Sequence, residues 1–214
     1  MEASQNPLGS ARYYRMLERF RRAAADVLTR PAVEVLARAG ISPNMLSLLG
    51  LILNLGIAYL LAWGYFLPGG LLILFSGWFD LLDGALARSR GRVTRFGALL
   101  DSVLDRFSEA ALLFGLLFFY LKVPARTEVV LIYLALVGSM ATSYTRARAE
   151  GLGIELRVGL FTRSERIILL ALGLVLGQFY LQALLIVLWI LAIGANLTAI
   201  HRAIHVWRRT REER

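Results

Sequence analysis

The chain turns on one stretch: Asp80-Leu-Leu-Asp83-Gly84-Ala-Leu-Ala87-Arg88, then eight residues, then Gly97-Ala-Leu-Leu-Asp101-Ser-Val-Leu-Asp105. Four aspartates sit here inside otherwise apolar sequence. Asp80 and Asp83 are three apart, and Asp101 and Asp105 four apart. On helices, each pair then shares one face. A carboxylate at membrane depth costs about 2.5 kcal/mol or more, so four of them need a common reason. Divalent cations are the simplest one. Oxygen-only ligands, with no cysteine in the chain and no histidine nearby, favour a hard ion, Mg or Mn over Zn. Two such ions bridge a diphosphate and neutralise charge on its leaving oxygens. Gly84 and Ala87 leave room beside the backbone for a bulky ligand, Arg88 offers a fork for phosphate oxygens, and Thr94 offers a hydroxyl. The competing readings are structural salt bridges to arginine and a proton or ion pathway.

Outward from this stretch the composition is that of a membrane protein. Of 214 residues, 57% are hydrophobic, too many for an ordinary soluble domain. The absence of cysteine excludes disulfides and thiolate metal sites. Six apolar spans are expected: about 45–66, 71–87, 96–121, 129–145, 167–178 and 181–200, the fifth extended by 162–166. Leu67-Pro68-Gly69-Gly70 reads as a turn, and 146–166 as a polar, basic loop. Asp80 and Asp83 fall near the end of the second span, Asp101 and Asp105 near the start of the third. The pairs flank one short loop on one side of the membrane.

Ahead of the spans, residues 10–39 carry apolar Tyr13, Leu17, Phe20, Ala24 and Leu28 at helical spacing between arginines, with an interruption at Pro31. That pattern predicts an amphipathic helix on an anionic membrane surface. Gly40 to Asn44 breaks it, with Ser42 or Asn44 as cap and Pro43 as first helical residue. The first long apolar run, near Met45, lies behind this basic arm and does not read as a cleavable signal. The fold expected is all-α: an integral membrane protein of six transmembrane helices with an N-terminal amphipathic juxtamembrane helix. Its parts are an arm (1–40), a catalytic membrane domain (41–206) and a basic tail (207–214).

The formal net charge is +9, and Lys122 is the only lysine. The arginines concentrate in both termini and in the loops after the second and fourth spans. This places both termini and the aspartates on the cytoplasmic side of a cell membrane, and it argues against nucleic acid as the partner. The carboxylates cluster at one membrane face without a repeat, which disfavours a metal-ion transporter.

These residues resemble a known family. The CDP-alcohol phosphotransferases carry Asp-x2-Asp-Gly-x2-Ala-Arg-x8-Gly-x3-Asp-x3-Asp, and Asp80, Asp83, Gly84, Ala87, Arg88, Gly97, Asp101 and Asp105 match every fixed position. The resemblance implies transfer of a phosphatidyl group from a CDP-lipid to an alcohol, with release of CMP. It implies two divalent ions, Mg or Mn, held by Asp80, Asp83, Asp101 and Asp105, with Asp105 also the base. It implies contacts to the CDP moiety from Asp83, Gly84, Ala87, Arg88, Thr94 and Gly97. Ser42-Pro43-Asn44-Met45 is similar to the family's Ser/Thr-Pro-Asn/Asp element of the nucleotide pocket. A homodimer is implied by the resemblance alone.

The acceptor is read outside this motif. Arg146, Arg148, Arg163, Arg166 and Arg202 lie on the cytoplasmic side, and multidentate arginine suits a phosphorylated alcohol. Plain loop charge is the other reading. The runs resemble the phosphatidylinositol-phosphate synthase group of the family, with Arg146 where that group often has Lys and Ser164 where it has Pro. That implies CDP-diacylglycerol as donor and inositol phosphate as acceptor, over glycerol 3-phosphate.

Overall fold

A computed structural model describes residues 31, 33–35, 38–89, 94–156, 158–159 and 161–212, without the side chains at 80, 81, 83, 84, 87–89, 181 and 212. The arm helix expected over 10–30 lies outside the described residues. Six helices follow: α1 (Pro43–Ala62), α2 (Phe66–Ser89), α3 (Arg95–Tyr120), α4 (Arg126–Gly151), α5 (Arg163–Gly177) and α6 (Leu181–Glu212). The described residues from 31 to 38 are also helical, and the backbone turns at Gly40 with a φ of 73°, where glycine carries no Cβ penalty.

Local chemistry sets the helix starts. Ser42 caps α1, its hydroxyl accepting from the Met45 N–H at 3.2 Å, and Pro43 occupies the first turn, where its missing N–H costs nothing. Thr94 caps α3 the same way, accepting from the Gly97 N–H at 2.9 Å. Thr162 precedes α5 and its hydroxyl donates to Glu165 three residues on.

Three boundaries differ from the expectation. Leu67-Pro68-Gly69-Gly70 is not a turn but part of the opening of α2, because the first four N–H groups of a helix lack intrahelical partners and proline there loses none. Helix α4 runs on to Gly151, so Arg146 and Arg148 project from a helix rather than a loop. Helix α6 continues to Glu212, carrying most of the basic tail as helix.

The helices close a ring. Helix α1 packs on α3 and α2, α3 on α4, α4 on α6, α6 on α5, and α5 on α2. Glycines bring three of these pairs to backbone contact: a Cβ on Gly115 would strike the Ala58 carbonyl, one on Gly138 would lie 2.8 Å from Asn196 N, and one on Gly70 would lie 2.8 Å from the Ala171 oxygen. Small residues at crossings are how helices associate where lipid competes with side chains for apolar contact. Buried leucines and isoleucines fill the ring, among them Ile57, Leu61, Leu116, Leu174 and Leu188. Polar cross-links join two neighbours in the ring: from α1 to α2 the Asn54 amide donates to Ser76 Oγ at 2.9 Å, and from α4 to α6 Thr142 Oγ1 donates to the Ala195 carbonyl at 2.9 Å.

Apolar residues also cover the outside, as on α1 with Ile52, Leu55 and Tyr59. A helix apolar all round needs a nonaqueous surface. Among the described residues three helices are long and apolar enough to cross a membrane: Pro43–Ala62, Arg126–Gly151 and Gln182–Arg211. In α2 the apolar stretch Phe66–Phe79 is shorter, α5 spans 15 residues, and α3 carries Asp101, Asp105, Arg106 and Glu109.

Candidate active site

The N-terminal ends of α1, α3 and α5 gather at the end of the bundle that holds the C-terminal parts of α4 and α6. Asn44, at the start of α1, meets Thr94 and Gly97 at the start of α3. A Cβ on Gly97 would lie 2.9 Å from Thr94 Oγ1 and 3.1 Å from Asn44 Oδ1. Three of the residues expected on the CDP moiety are thus neighbours, although 50 positions separate Asn44 from Thr94. Ser42 and Pro43 shape the start of α1, and Met45 is exposed.

Asp83 lies six residues before the end of α2 and Asp101 six residues after the start of α3, about 9 Å along each axis at 1.5 Å per residue. The side chains of Asp80, Asp83, Ala87 and Arg88 are outside the described set, as is any at Gly84. Asp101 and Asp105 are described and half-buried. Among the described residues no group of three His, Cys, Asp or Glu side chains gathers around one point. The set of four carboxylates suits a hard divalent ion by its donor chemistry, with no nitrogen or sulfur ligand in it.

A cleft of about 880 Å³ opens beside Asp105. It is bounded by the N-terminal part of α3, the C-terminal part of α4, the start of α5, and Arg202 of α6. Arg146, Arg163, Arg166 and Arg202, four of the five arginines expected to bind acceptor phosphate, line it. Arg148 does not. Two residues along α4 turn it about 200° from Arg146, away from the face that holds Thr142, Arg146 and Glu150.

The four arginines are held differently. Arg163 Nη1 pairs with Asp105 Oδ2 at 2.8 Å. Arg146 pairs with Glu150 one turn on at 2.9 Å; both are more than half exposed, so this pair is easily given up. Arg202 is buried, its Nε donating to the Val158 carbonyl and its Nη1 to the Thr142 carbonyl, each at 2.9 Å. The positive charges of Arg146 and Arg166 act on it. Arg166 is buried as well. Its fork grips Glu109 bidentately, Nε to Oε1 at 2.7 Å and Nη2 to Oε2 at 2.8 Å. Nη2 also donates to Ser139 Oγ at 3.0 Å, and Nη1 to the Phe161 carbonyl at 3.0 Å.

Glu109, Ser139 and Thr142 escaped the reading of the sequence. A trace of Glu109 was there: it follows Asp105 by four residues, and Arg166 follows Arg163 by three, so the two acids and the two arginines each share a helix face. Ser139 and Thr142 carry no such mark, being small polar residues in an apolar helix.

The family model for CDP-alcohol phosphatidyltransferases matches residues 40–202. The phosphatidylinositol phosphate synthase of Mycobacterium tuberculosis is 35% identical over 192 residues, covering 87% of this chain and 88% of that protein. The archaetidylinositol phosphate synthase of Methanothermobacter thermautotrophicus is 36% identical over 198 residues, covering 91% and 95%. The crystal structure of the M. tuberculosis synthase with CDP-DAG bound superposes with a TM-score of 0.79 at 35% identity, covering 84% of this chain and 93% of that one. The same synthase in complex with manganese and citrate gives a TM-score of 0.80, covering 84% and 88%. The chain belongs to the CDP-alcohol phosphatidyltransferase family and is a transferase of phospholipid biosynthesis, similar to the phosphatidylinositol phosphate synthases.

Proposed function

We propose that this enzyme transfers the phosphatidyl group of CDP-diacylglycerol to a hydroxyl of inositol phosphate, releasing CMP and forming phosphatidylinositol phosphate. The observation that carries the reading is the cleft that brings Asp105 together with Arg146, Arg163, Arg166 and Arg202. Five arginines, with Arg106, and two carboxylates, Asp105 and Glu150, line it, and Glu109 lies directly behind Arg166. The local balance is therefore +2. A phosphomonoester carries about −1.5 to −2 at neutral pH, so the cleft is matched to one. Unphosphorylated inositol or serine would leave that charge unbalanced.

The chemistry follows from the placement. The acceptor hydroxyl oxygen bonds to the phosphorus that bears diacylglycerol. The bond from that phosphorus to the CMP phosphate oxygen breaks, CMP leaves with the electron pair, and the hydroxyl proton passes to the Asp105 carboxylate. Arg163 serves two anions. It holds Asp105, and an acceptor phosphate offers it a second partner, which brings the hydroxyl to the base. Asp80, Asp83, Asp101 and Asp105 would hold two divalent ions, Mg or Mn, which when bound supply charge neutralisation at the diphosphate. The relative solved with manganese supports a divalent metal in this fold. Ser42, Pro43, Asn44, Met45, Asp83, Gly84, Ala87, Arg88, Thr94 and Gly97 would form the CDP side of the site, supported by the meeting of Asn44, Thr94 and Gly97. All six helices cross the membrane in this reading. Both termini and the cleft face the cytoplasm, with membrane lipid around the exposed apolar faces and a second copy of the chain as partner.

The test is CMP release by the purified protein in detergent, with CDP-diacylglycerol and Mg or Mn. Inositol phosphate, glycerol 3-phosphate, inositol and serine are offered in parallel. Release with inositol phosphate alone is expected. Release with glycerol 3-phosphate alone would keep the donor chemistry and overturn the acceptor.

A further inference from the structure

Glu109 stands apart from the four aspartates of the motif, yet it is more deeply buried than the two described ones. It lies one turn beyond Asp105 on α3. Its floor is apolar, formed by Leu113, Ala135, Ile167, Leu170 and Leu191. A carboxylate there is tolerated only in full partnership, and Arg166 supplies it through two parallel N–H···O bonds of 2.7 and 2.8 Å. Ser139 of α4 takes a further Nη2 hydrogen, so the unit joins α3, α4 and α5.

The unit reaches the cleft in two ways. Arg166 Nη1 donates to the Phe161 carbonyl, which fixes the chain just before Thr162, the residue that opens α5. Arg163, in the first turn of α5, then meets Asp105. Helices α3 and α5 are thus joined by two successive rungs, Asp105 to Arg163 at the half-exposed level and Glu109 to Arg166 beneath it. Arithmetic on the guanidinium makes the same point. Of its five N–H groups, two go to Glu109, one to Ser139 and one to Phe161, which leaves one for a ligand.

We propose that Glu109 is a positioning residue for acceptor recognition: through Arg166 and Ser139 it fixes the first turn of α5, so that Arg163 is presented both to Asp105 and to the acceptor phosphate. Arg166 then acts chiefly as the pin of this device, and the surrounding arginines supply the charge that the phosphate meets. The inference rests on the proposed phosphorylated acceptor.

The test measures CMP release by Glu109→Gln, Arg166→Gln, the double variant and Ser139→Ala, varying donor and acceptor separately. Each protein is first checked for elution and thermal unfolding in detergent. Whichever phosphorylated alcohol the unaltered enzyme turns over is the acceptor used, so failure with inositol phosphate overturns the functional reading without touching this one. For Glu109→Gln the acceptor KM is expected to rise at least tenfold, with the CDP-diacylglycerol KM within twofold of the unaltered enzyme. The double variant should be no worse than the worse single one, because the pair works as a unit. A folded Glu109→Gln protein with the original acceptor KM overturns the proposal, and so do two effects that simply multiply. If Glu109→Gln does not fold, Ser139→Ala decides: it leaves both charges paired, and a threefold rise in acceptor KM is expected, whereas no change overturns the proposal.

Discussion

Asp105 is the residue on which the two halves of the site meet. It belongs to the aspartate motif through Asp101, one turn before it on α3, and to the arginine cleft through Arg163 at 2.8 Å. Replacing its carboxylate by an amide of the same shape removes the proposed proton acceptor and half of the ion pair while filling the same space. Asp105→Asn should lower turnover by a factor of about 10² or more, with CDP-lipid binding largely kept. CMP release and donor-induced thermal stabilisation measure the two separately. An active Asp105→Asn enzyme would remove Asp105 as the base. The same scale shows what sequence spacing conveys. Asp101 and Asp105 were legible as a pair because a spacing of four on a helix fixes a shared face. Arg166 was legible as a candidate for acceptor phosphate or as loop charge, not as the partner of Glu109. That its fork is turned to Glu109 rather than open to a ligand depends on which helices pack together, and no spacing encodes it.

At the scale of the helix, caps and crossings decide more than propensity. Ser42 was visible as a cap from residue type and position, whereas Thr94 read as a loop hydroxyl and proves to cap α3. The opening of α2 through Pro68 and the continuation of α4 past Arg146 were not visible, because proline and arginine runs read as punctuation unless the rest of the turn is known. Where α1 and α3 cross, Gly115 lies so close to the Ala58 backbone that a Cβ would strike the Ala58 oxygen. Helix α3 carries Asp101, Asp105 and Glu109, and α1 carries Asn44, so this crossing holds the proposed nucleotide and acceptor sides together. Gly115→Ala would drive a methyl into main-chain atoms that no rotamer can clear. Overpacking of this kind costs about 1–3 kcal/mol, and it should appear as a lower unfolding temperature in detergent together with loss of activity. Unchanged stability would mean that the two helices are free to separate there.

For the molecule as a whole, the distribution of charge and the ring of helices point the same way. The three connections at the far end, 63–65, 121–125 and 178–180, are short, and the cleft opens at the other end. Lys122 closes the far end, donating to the Ala62 carbonyl at 3.2 Å and lying 4.3 Å from the Trp63 and Phe118 ring centres. On the proposed six-span reading, with arginines massed at the cleft end, tags placed on the N- and C-termini should lie on the same, cytoplasmic side. Protease access in sealed inside-out vesicles, compared with right-side-out ones, measures this. A single protected terminus would break the six-span reading.

The sequence by itself determined the class of chemistry. Eight fixed positions between Asp80 and Asp105 set the family, and local rules of helix spacing, capping and hydropathy set most of the helices, because those rules act within a few residues along the chain. The acceptor side was open in the sequence: the arginines read equally as loop charge or as an anion pocket. What tertiary structure adds is the gathering of Arg146, Arg163, Arg166 and Arg202, from three different helices, around one cleft beside Asp105, with Arg148 left on the other face of α4 and Glu109 buried behind Arg166. The physical reason is that a charge is defined by its surroundings. Whether an arginine meets water, a ligand phosphate or a buried partner depends on residues as much as 60 positions away, brought near only by the packing of the helices.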